Sequence, residues 1–568
     1  MSLRSALMLG ALVLVPSVLD AQAATASARA RQLPLKRRPQ PTTAAISERD
    51  LMTRVYLFAD DSMQGREAGY PGAIKGTAYI AAELRRLGLR PAGEHGTYFQ
   101  NVPFIARTLD SSTTIASNDA TLAAYKDFVV IPFRGAFPRA IDGAQVIYGG
   151  VLGDTVDALT PEQAEGKLVI VRNPTGVLNR IGPTNRLARA AAVALVGSGD
   201  LSANAMATGH APTLTLPPAP GAPAALVTLA ISERAAERLL GAPVQGLAVG
   251  ATGGTIRGNL RFRERAAPTR NVVAILPGSD RVLRGQYVAI GAHSDHVGYR
   301  VTGPVDHDSL HLHAAQRYLA TENPTGAPLS AEARQAQQAR VAAIRVNLDS
   351  VRALRPVRRD SINNGADDDA SGSMVVLEIA QTFARSAVKP KRSILFVWHT
   401  AEEKGLLGSR HFTDHPTVPR DSIVAHVNLD MVGRGGAGDL GAGGDRYLQL
   451  VGSRRLSTEL GDLVETVNKS EPMPFAFDYT LDANGHPENI YCRSDHYNYA
   501  RYGIPVVFMT TGLHGDYHQP TDEAQYIDYA HMARIGRFVF NLTRRLGDRE
   551  HRPVVDKPKP DPNATCRQ

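Results

Sequence analysis

Residues 287–296 read Tyr287-Val-Ala-Ile-Gly-Ala-His293-Ser-Asp-His296. An unbroken apolar run that stops abruptly at imidazole and carboxylate groups is the pattern of a strand buried on both faces, with polar side chains at its carboxyl end. The pattern recurs: Ser393 to His399 runs into Thr400-Ala401-Glu402-Glu403, and Ala425 to Leu429 runs into Asp430. Further strands of this type are predicted at Asn271 to Leu276, Gln449 to Val451 and Pro505 to Met509. Helical patterns fill the intervals, at Ser371 to Ser386, Ser457 to Asn468 and Gln525 to Leu546. Apolar strands alternating with helices imply an α/β fold, a mainly parallel mixed sheet sandwiched by helices.

Upstream, Ser47 to Ala59 and Pro71 to Leu87 have helical periodicity, with a glycine-containing loop, Gln64-Gly65-Arg66, between them. From about residue 104 to 264 the texture changes to short β-rich runs (Phe128 to Phe133, Ala144 to Tyr148, Lys167 to Arg172, Ala225 to Leu229) separated by Gly and Pro clusters. This stretch reads as a separate, mostly β domain. It divides the α/β domain into 47–103 and 265–547. A charged insertion rich in His and Arg occupies 299–362, with one expected helix at Ala331 to Ala353.

The first 23 residues read as a secretory signal peptide. Arg4 is a positive start, Ala6 to Leu19 is apolar, and Ala21-Gln22-Ala23 is a cleavage site. The run is short for a membrane span, and no later stretch is long and apolar enough to be one. The protein is therefore expected to be exported, to the periplasm or the medium. The formal charge of +8 is localised, because Arg29, Arg31, Lys36, Arg37 and Arg38 lie in a leader, 24–46, expected to be disordered. The body is near neutral and has no basic stripe interleaved with aromatics, which argues against a nucleic-acid partner. An exported protein could oxidise the two cysteines, Cys492 and Cys566, to a disulfide, but the simpler reading is two free thiols, the second in a Pro- and Lys-rich tail, 548–568, expected to be disordered. They offer no cysteine metal site.

The strand-end motifs point at one crevice, because ligands of open α/β sheets gather outside the carboxyl ends of strands. Two more segments join them: Gly365-Ala-Asp-Asp368-Asp-Ala-Ser-Gly372, which opens a helix, and the loop Tyr517-His518-Gln-Pro-Thr-Asp522. Without thiolates, imidazole and carboxylate are the donors zinc favours. Two nearby dications repel strongly and need a bridging anion, a role one Asp can fill. His293, Asp430, Glu403 and His518 then supply one imidazole and one carboxylate per ion.

These segments, with Leu87-Gly-Leu-Arg-Pro-Ala-Gly93, Thr269-Arg-Asn-Val-Val-Ala-Ile-Leu-Pro-Gly278 and Arg493-Ser-Asp-His496, resemble the di-zinc exopeptidase family of bacterial leucyl aminopeptidases, glutamate carboxypeptidases, glutaminyl cyclases and the transferrin receptor. The resemblance covers about residues 47–100 and 265–545. It implies the zinc exopeptidase (phosphorylase/hydrolase-like) fold and two zinc ions per chain, with peptide or protein substrates. His293 and Asp430 would hold one ion, Glu403 and His518 the other, and Asp368 would bridge. Glu402 would be the general base, and Asp295 would orient His293. Tyr491 and Tyr517 are alternative oxyanion donors. The β-rich stretch 104–264 resembles the inserted protease-associated domain of several members.

Two features depart from the family pattern. Asp522-Glu523 stands where the family usually has Asp-Thr, and the 299–362 insertion is unusually long. Its His307, His311 and His313 are expected in a solvated loop rather than an extra metal site. The function expected is a secreted aminopeptidase. The alternatives are a zinc carboxypeptidase or glutaminyl cyclase of the same family, or a non-catalytic binding protein on this fold. The complete ligand set with its Glu-Glu pair speaks against the cyclase, which acts with one zinc, and against the binding protein, which would have lost ligands.

Overall fold

Successive residues of a strand face opposite sides of its sheet, so a strand with no polar side needs cover on both. That cover is present. Val272, Ala274 and Leu276 enter one core while Val273 and Ile275 enter another, and Ile394, Phe396 and Trp398 divide from Leu395 and Val397 in the same way. The structure, a computed structural model, describes residues 33–568 apart from 119, 134–136, 155, 177, 179–180, 182–184, 219–220 and 222–223. The expected signal peptide, 1–23, and the first part of the leader lie outside the described residues.

The main strands are β1 (Thr269–Leu276), β2 (Tyr287–His293), β3 (Ser393–His399), β4 (Ile423–Leu429), β5 (Tyr447–Val451) and β6 (Val506–Thr510). They lie in the order β1-β3-β2-β4-β6-β5 within a nine-stranded sheet. β3, β2, β4 and β6 run parallel, and β1 and β5 run antiparallel on either side. The carboxyl ends of β2, β3 and β4 therefore sit side by side, with His293 in register with His399.

The principal helices are α1 (Glu48–Phe58), α2 (Pro71–Arg86), α3 (His307–Thr321), α4 (Gly372–Arg385), α5 (Thr458–Lys469) and α6 (Tyr529–Asp548). α1, α4 and α6 share the core on one face of the sheet. The short helices Leu407–Asp414 and His496–Ala500 cover the other. Side-chain caps set helix starts: Ser47 accepts the Asp50 N–H before α1, and Asp528 accepts that of His531 before α6.

The stretch after Val102 forms its own six-stranded sheet, with the parallel strands Gln145–Val151, Leu168–Arg172, Ala192–Val196 and Val227–Ile231 at its centre, and it has its own apolar cores. It leaves and re-enters the main sheet at one place. Strand Phe99–Val102 pairs antiparallel with β1, and Val102 faces Thr269.

Four sequence expectations change. Residues 33–46 of the leader are not free: Tyr56 donates its hydroxyl to the Pro34 carbonyl, Thr42 donates to Gln381, and Ile46 is in the core. Cys492 and Cys566 are joined in a disulfide rather than being free thiols. The tail they tether is ordered to its last residue, where the Gln568 side chain bonds the Tyr491 N–H and the Leu481 and Ala483 carbonyls. The 299–362 insertion holds three helices, α3, Ala331–Ala343 and Asp349–Arg352, where one was expected.

Candidate metal centre

Each strand end delivers its side chain to one point. His293 closes β2, Glu402 and Glu403 follow β3, and Asp430 follows β4. His518 comes from the loop after β6 and Asp368 from the turn that opens α4. In this arrangement His293 Nε2 lies 3.1 Å from Asp368 Oδ1 and 3.4 Å from Asp430 Oδ1. On the other side, His518 Nε2 lies 3.1 Å from Asp368 Oδ2 and 2.9 Å from Glu403 Oε2. The two oxygens of Asp368 thus face two different imidazole–carboxylate pairs, and each group has its donor atoms close enough for one ion.

Sequence reasoning missed His296. Its ring is fully buried with Nδ1 2.8 Å from Glu403 Oε1, so it joins the His518 group. The signal was present in the His293-x-x-His296 spacing.

The segment carrying Asp368 is held from several sides. Asp522 accepts the N–H groups of Asp367 and Asp368. Asp369 accepts from His293 N, Gly372 N and Met431 N, and the Asp368–Asp369 peptide is cis. Arg66, fully buried, donates to the carbonyls of Phe58, Ser294, Asn364 and Gly365, tying the His293 turn to the Asp368 turn. Its neighbour Gly65 has φ +62°, and a Cβ there would lie 2.6 Å from the Asn363 carbonyl oxygen. Only glycine suits this close, left-handed crossing.

Asp295 touches His293 mainly through its backbone. His293 Nδ1 is 3.0 Å from the Asp295 carbonyl and 3.8 Å from its carboxylate, which instead accepts the Glu402 N–H. Asp430 is oriented by Ser494, which donates to it, and Asn428 donates in turn to Ser494.

The tyrosine alternatives separate. Tyr517 lines the cavity beside the cluster and stacks on His518 at 3.9 Å, with Arg493 Nη2 3.4 Å from its hydroxyl. Tyr491 does not line it: its ring is buried against Arg455 and His496. The expectation of Tyr491 as an oxyanion donor is therefore corrected; three residues of sequence spacing to Ser494 said nothing of ring direction.

The site's charges compensate. Burial lowers the basicity of His293, but the close carboxylates of Asp430 and Asp368 raise it well above the ordinary imidazole value. Burial raises Asp368, yet His296, His293 and His518 bring it well below the carboxylate range. Burial, together with Asp430 and Glu403, raises Glu402 well above it, against the pull of His293. Nε2 of His293 and of His518, Oδ2 of Asp368 and Oε1 of Glu403 are buried and converge on other members of the cluster without well-formed hydrogen-bond geometry. Convergent buried atoms of this kind, all imidazole or carboxylate, fit zinc.

The neighbouring cavity, about 280 Å³, is lined by the carboxylates of Asp368, Glu402, Glu403 and Asp430 and by apolar residues including Met431, Leu481, Ile490, Phe508 and Leu513.

The 299–362 insertion is not the solvated loop expected. His307 is buried, with Nδ1 3.1 Å from Asp360 and Nε2 3.3 Å from the Tyr526 hydroxyl; His311 is half-buried and His313 exposed. His307, Asp360 and Glu523 approach one another as a ligand set would. Both His307 nitrogens are nevertheless engaged, and the Arg358 guanidinium lies 3.6 Å from Glu523. That group is satisfied without a cation.

Residues 331–543 match the model of peptidase family M28. The matched stretch is less than half of the chain. It carries Asp368, Glu402, Glu403, Asp430 and His518, while His293 lies upstream of it. Curated relatives match parts of the chain. The chain is 38% identical over 77 residues to leupeptin-inactivating enzyme 1 of Streptomyces exfoliatus, covering 13% of this chain and 18% of that protein. It is 30% identical over 191 residues to leucine aminopeptidase 1 of Paracoccidioides brasiliensis (strain Pb18), covering 32% and 46%. It thus spans under half the length of either. Among solved structures, an aminopeptidase from Aneurinibacillus sp. strain AM-1 aligns over 91% of this chain and 97% of its own at 15% identity, with TM-score 0.48. A zinc aminopeptidase from Bacillus subtilis aligns over 90% and 97% at 16% identity, with TM-score 0.47.

Proposed function

We propose that this chain is an exported zinc exopeptidase, an aminopeptidase that removes N-terminal residues from peptides with two zinc ions. The observation that carries the proposal is Asp368, whose two oxygens are shared between two imidazole–carboxylate groups beside a cavity. His293 and Asp430 would hold one ion and Glu403 and His518 the other, with His296 beside the second. Zinc held there supplies Lewis acidity and lowers the pKa of a water.

The chain's own residues do the rest. The Glu402 carboxylate, carried on the loop after β3 and fixed through its N–H on Asp295, accepts the proton of the attacking water and passes it to the leaving amine. Burial raises the Tyr517 hydroxyl above its ordinary value, so it stays protonated and donates to the tetrahedral oxyanion. Arg493 donates to the same phenol oxygen, which leaves that proton directed at substrate.

An amine rather than a carboxylate suits the cavity. Its lining is rich in carboxylates, and its one guanidinium, Arg493, is paired with Glu488 at 2.8 Å. The apolar lining residues suit an aliphatic or aromatic first side chain. The Cys492–Cys566 disulfide supports export to an oxidising compartment. The β-rich stretch 104–264 we read as a protease-associated domain that shapes access.

The test separates the two adjacent glutamates. Glu402→Gln should keep both zinc ions while kcat falls by roughly two to four orders of magnitude, the scale of a lost general base. Glu403→Ala should lose zinc from one site along with activity. Zinc per chain and turnover of aminoacyl and carboxy-terminal peptide panels are measured together. Near-normal activity in both variants, or an active metal-free preparation, overturns the proposal; cleavage from the carboxyl end alone overturns its aminopeptidase part.

A further inference from the structure

The loop 511–519, which carries Tyr517 and His518, has no strand or helix of its own, and His518 sits at φ +56°. Non-glycine residues adopt that conformation sparingly, so neighbours must impose it. Two contacts come from the main body. His514 Nε2 meets Asp367 at 3.2 Å, and Arg434 reaches the Asp516 carboxylate at 3.2 Å. A third comes from the 299–362 insertion. His311, on α3, places Nδ1 3.0 Å and 2.9 Å from the two oxygens of Asp516, whose side chain is fully buried.

His311 is itself fixed. Its ring stacks on Tyr526 with centroids 3.8 Å apart and planes 10° from parallel. One turn earlier on the same helix face, His307 is engaged by Asp360 and Tyr526. The start of α3 is anchored by Arg352 on Asp306 and by Arg355 on Asp308. The backbones also meet, since a Cβ on Gly515 would lie 2.5 Å from the Ala314 carbonyl carbon. The Asp516 carbonyl then accepts the Gln519 N–H at 2.9 Å, closing the turn in which His518 sits.

We propose that His311 is a positioning residue. Through Asp516 it holds the 511–519 loop in the conformation that presents His518 and Tyr517, and the insertion is thereby a built-in clamp on one half of the metal site. A single buried carboxylate takes charged or polar partners from both the main body and the inserted helix. Neither Arg434 alone nor the loop's own bonds explain why α3 lies with its backbone against Gly515. The proposal rests on the metal site of the preceding section.

The experiment compares His311→Phe, which keeps the stack on Tyr526 but removes the donor, with His311→Asn, whose amide nitrogen takes the Nδ1 position. Amide hydrogen exchange is followed in metal-free protein, and zinc affinity is measured against a competing chelator. In His311→Phe, amides 514–519 should exchange at least tenfold faster and one of the two zinc ions should be lost at least tenfold more readily, while the other is held as in the unsubstituted protein. His311→Asn should restore most of both. Unchanged exchange and unchanged zinc affinity in His311→Phe overturn the proposal, as does weakening of both ions equally. If His311→Phe does not fold, Gly515→Ala applies the same test by pushing the loop off Ala314, with the same expected and refuting outcomes. An unsubstituted protein that binds no zinc would instead refute the metal site, and exchange at 514–519 would still judge the clamp.

Discussion

Arg66 offers the sharpest test of how the two halves of the site are held together. It is a fully buried cation that donates hydrogen bonds to four neutral backbone carbonyls, those of Phe58, Ser294, Asn364 and Gly365, and its guanidinium lies 4.5 Å from the Phe58 ring centroid. Burial lowers its pKa to about 10 against the pull of Asp522 and Asp369, so it stays charged at neutral pH. Arg66→Met keeps most of the volume and removes every donor. Each buried carbonyl left unsatisfied costs about 1–3 kcal/mol, partly offset because the guanidinium no longer has to be desolvated. A net loss of about 4 kcal/mol follows, and at about 2 °C per kcal/mol for a large domain the Tm should fall by about 8 °C. Because Ser294 follows His293 and Gly365 precedes Asp368, zinc should also be released at lower chelator concentration. Thermal unfolding and chelator titration, run on the same preparations, check both. A Tm within about 2 °C of the unsubstituted chain, with zinc retention unchanged, would refute the idea that one side chain ties the two turns.

Acid should destabilise the fold through imidazoles buried in the neutral form. Burial lowers His399 and His496 from 6.5 to about 3, so the unfolded chain binds protons that the folded chain does not. Stability from each is full above pH 6.5 and is lost as pH falls toward 3, at about 1.4 kcal/mol per pH unit per residue. His496→Phe, which retains the stack on Phe508, should flatten the dependence of urea unfolding on pH between 6.5 and 4.5 by about one proton; parallel curves would contradict this. Replacing residues 105–266 by a short turn should leave both zinc ions bound while changing the preference between long and short peptides. Phe104 and Ala267 are kept because they pack with Ala401 and Leu407 beside Glu402. Loss of both ions from a folded product would count against a role confined to access.

The α/β core was legible because its strands are apolar on both faces and stop at the imidazole and carboxylate residues of the candidate metal centre. His293, Glu403 and Asp430 each mark such a stop, so sequence order alone brought them to one edge. What escaped the sequence had no period. Helix α3 reads His307-Asp-Ser-Leu-His-Leu-His313, with no apolar stripe, because its docking face is made of imidazoles that meet Asp360, Tyr526 and Asp516. Residues 33–46 and the tail hold on through hydrogen bonds, one disulfide and isolated apolar contacts such as Ile46, which leave no periodic hydrophobic pattern. Tyr491 and Tyr517 were equal by spacing and were separated only by side-chain direction, which packing decides.

The pairing of Val102 with Thr269 sets an order of assembly. A ribosome adding about 5–20 residues per second delivers the second strand on the order of ten seconds after the first. Through that interval Phe99–Val102 has its hydrogen-bonding edge open. The intervening chain has cores of its own, and once they form, its two ends are already side by side. The remaining loop-closure entropy is then closer to that of a tight hairpin than to that of a long coil. The insertion would act during synthesis as a clasp, and a slow-folding variant of it should show its first defect as aggregation through the unpaired edge of the main sheet.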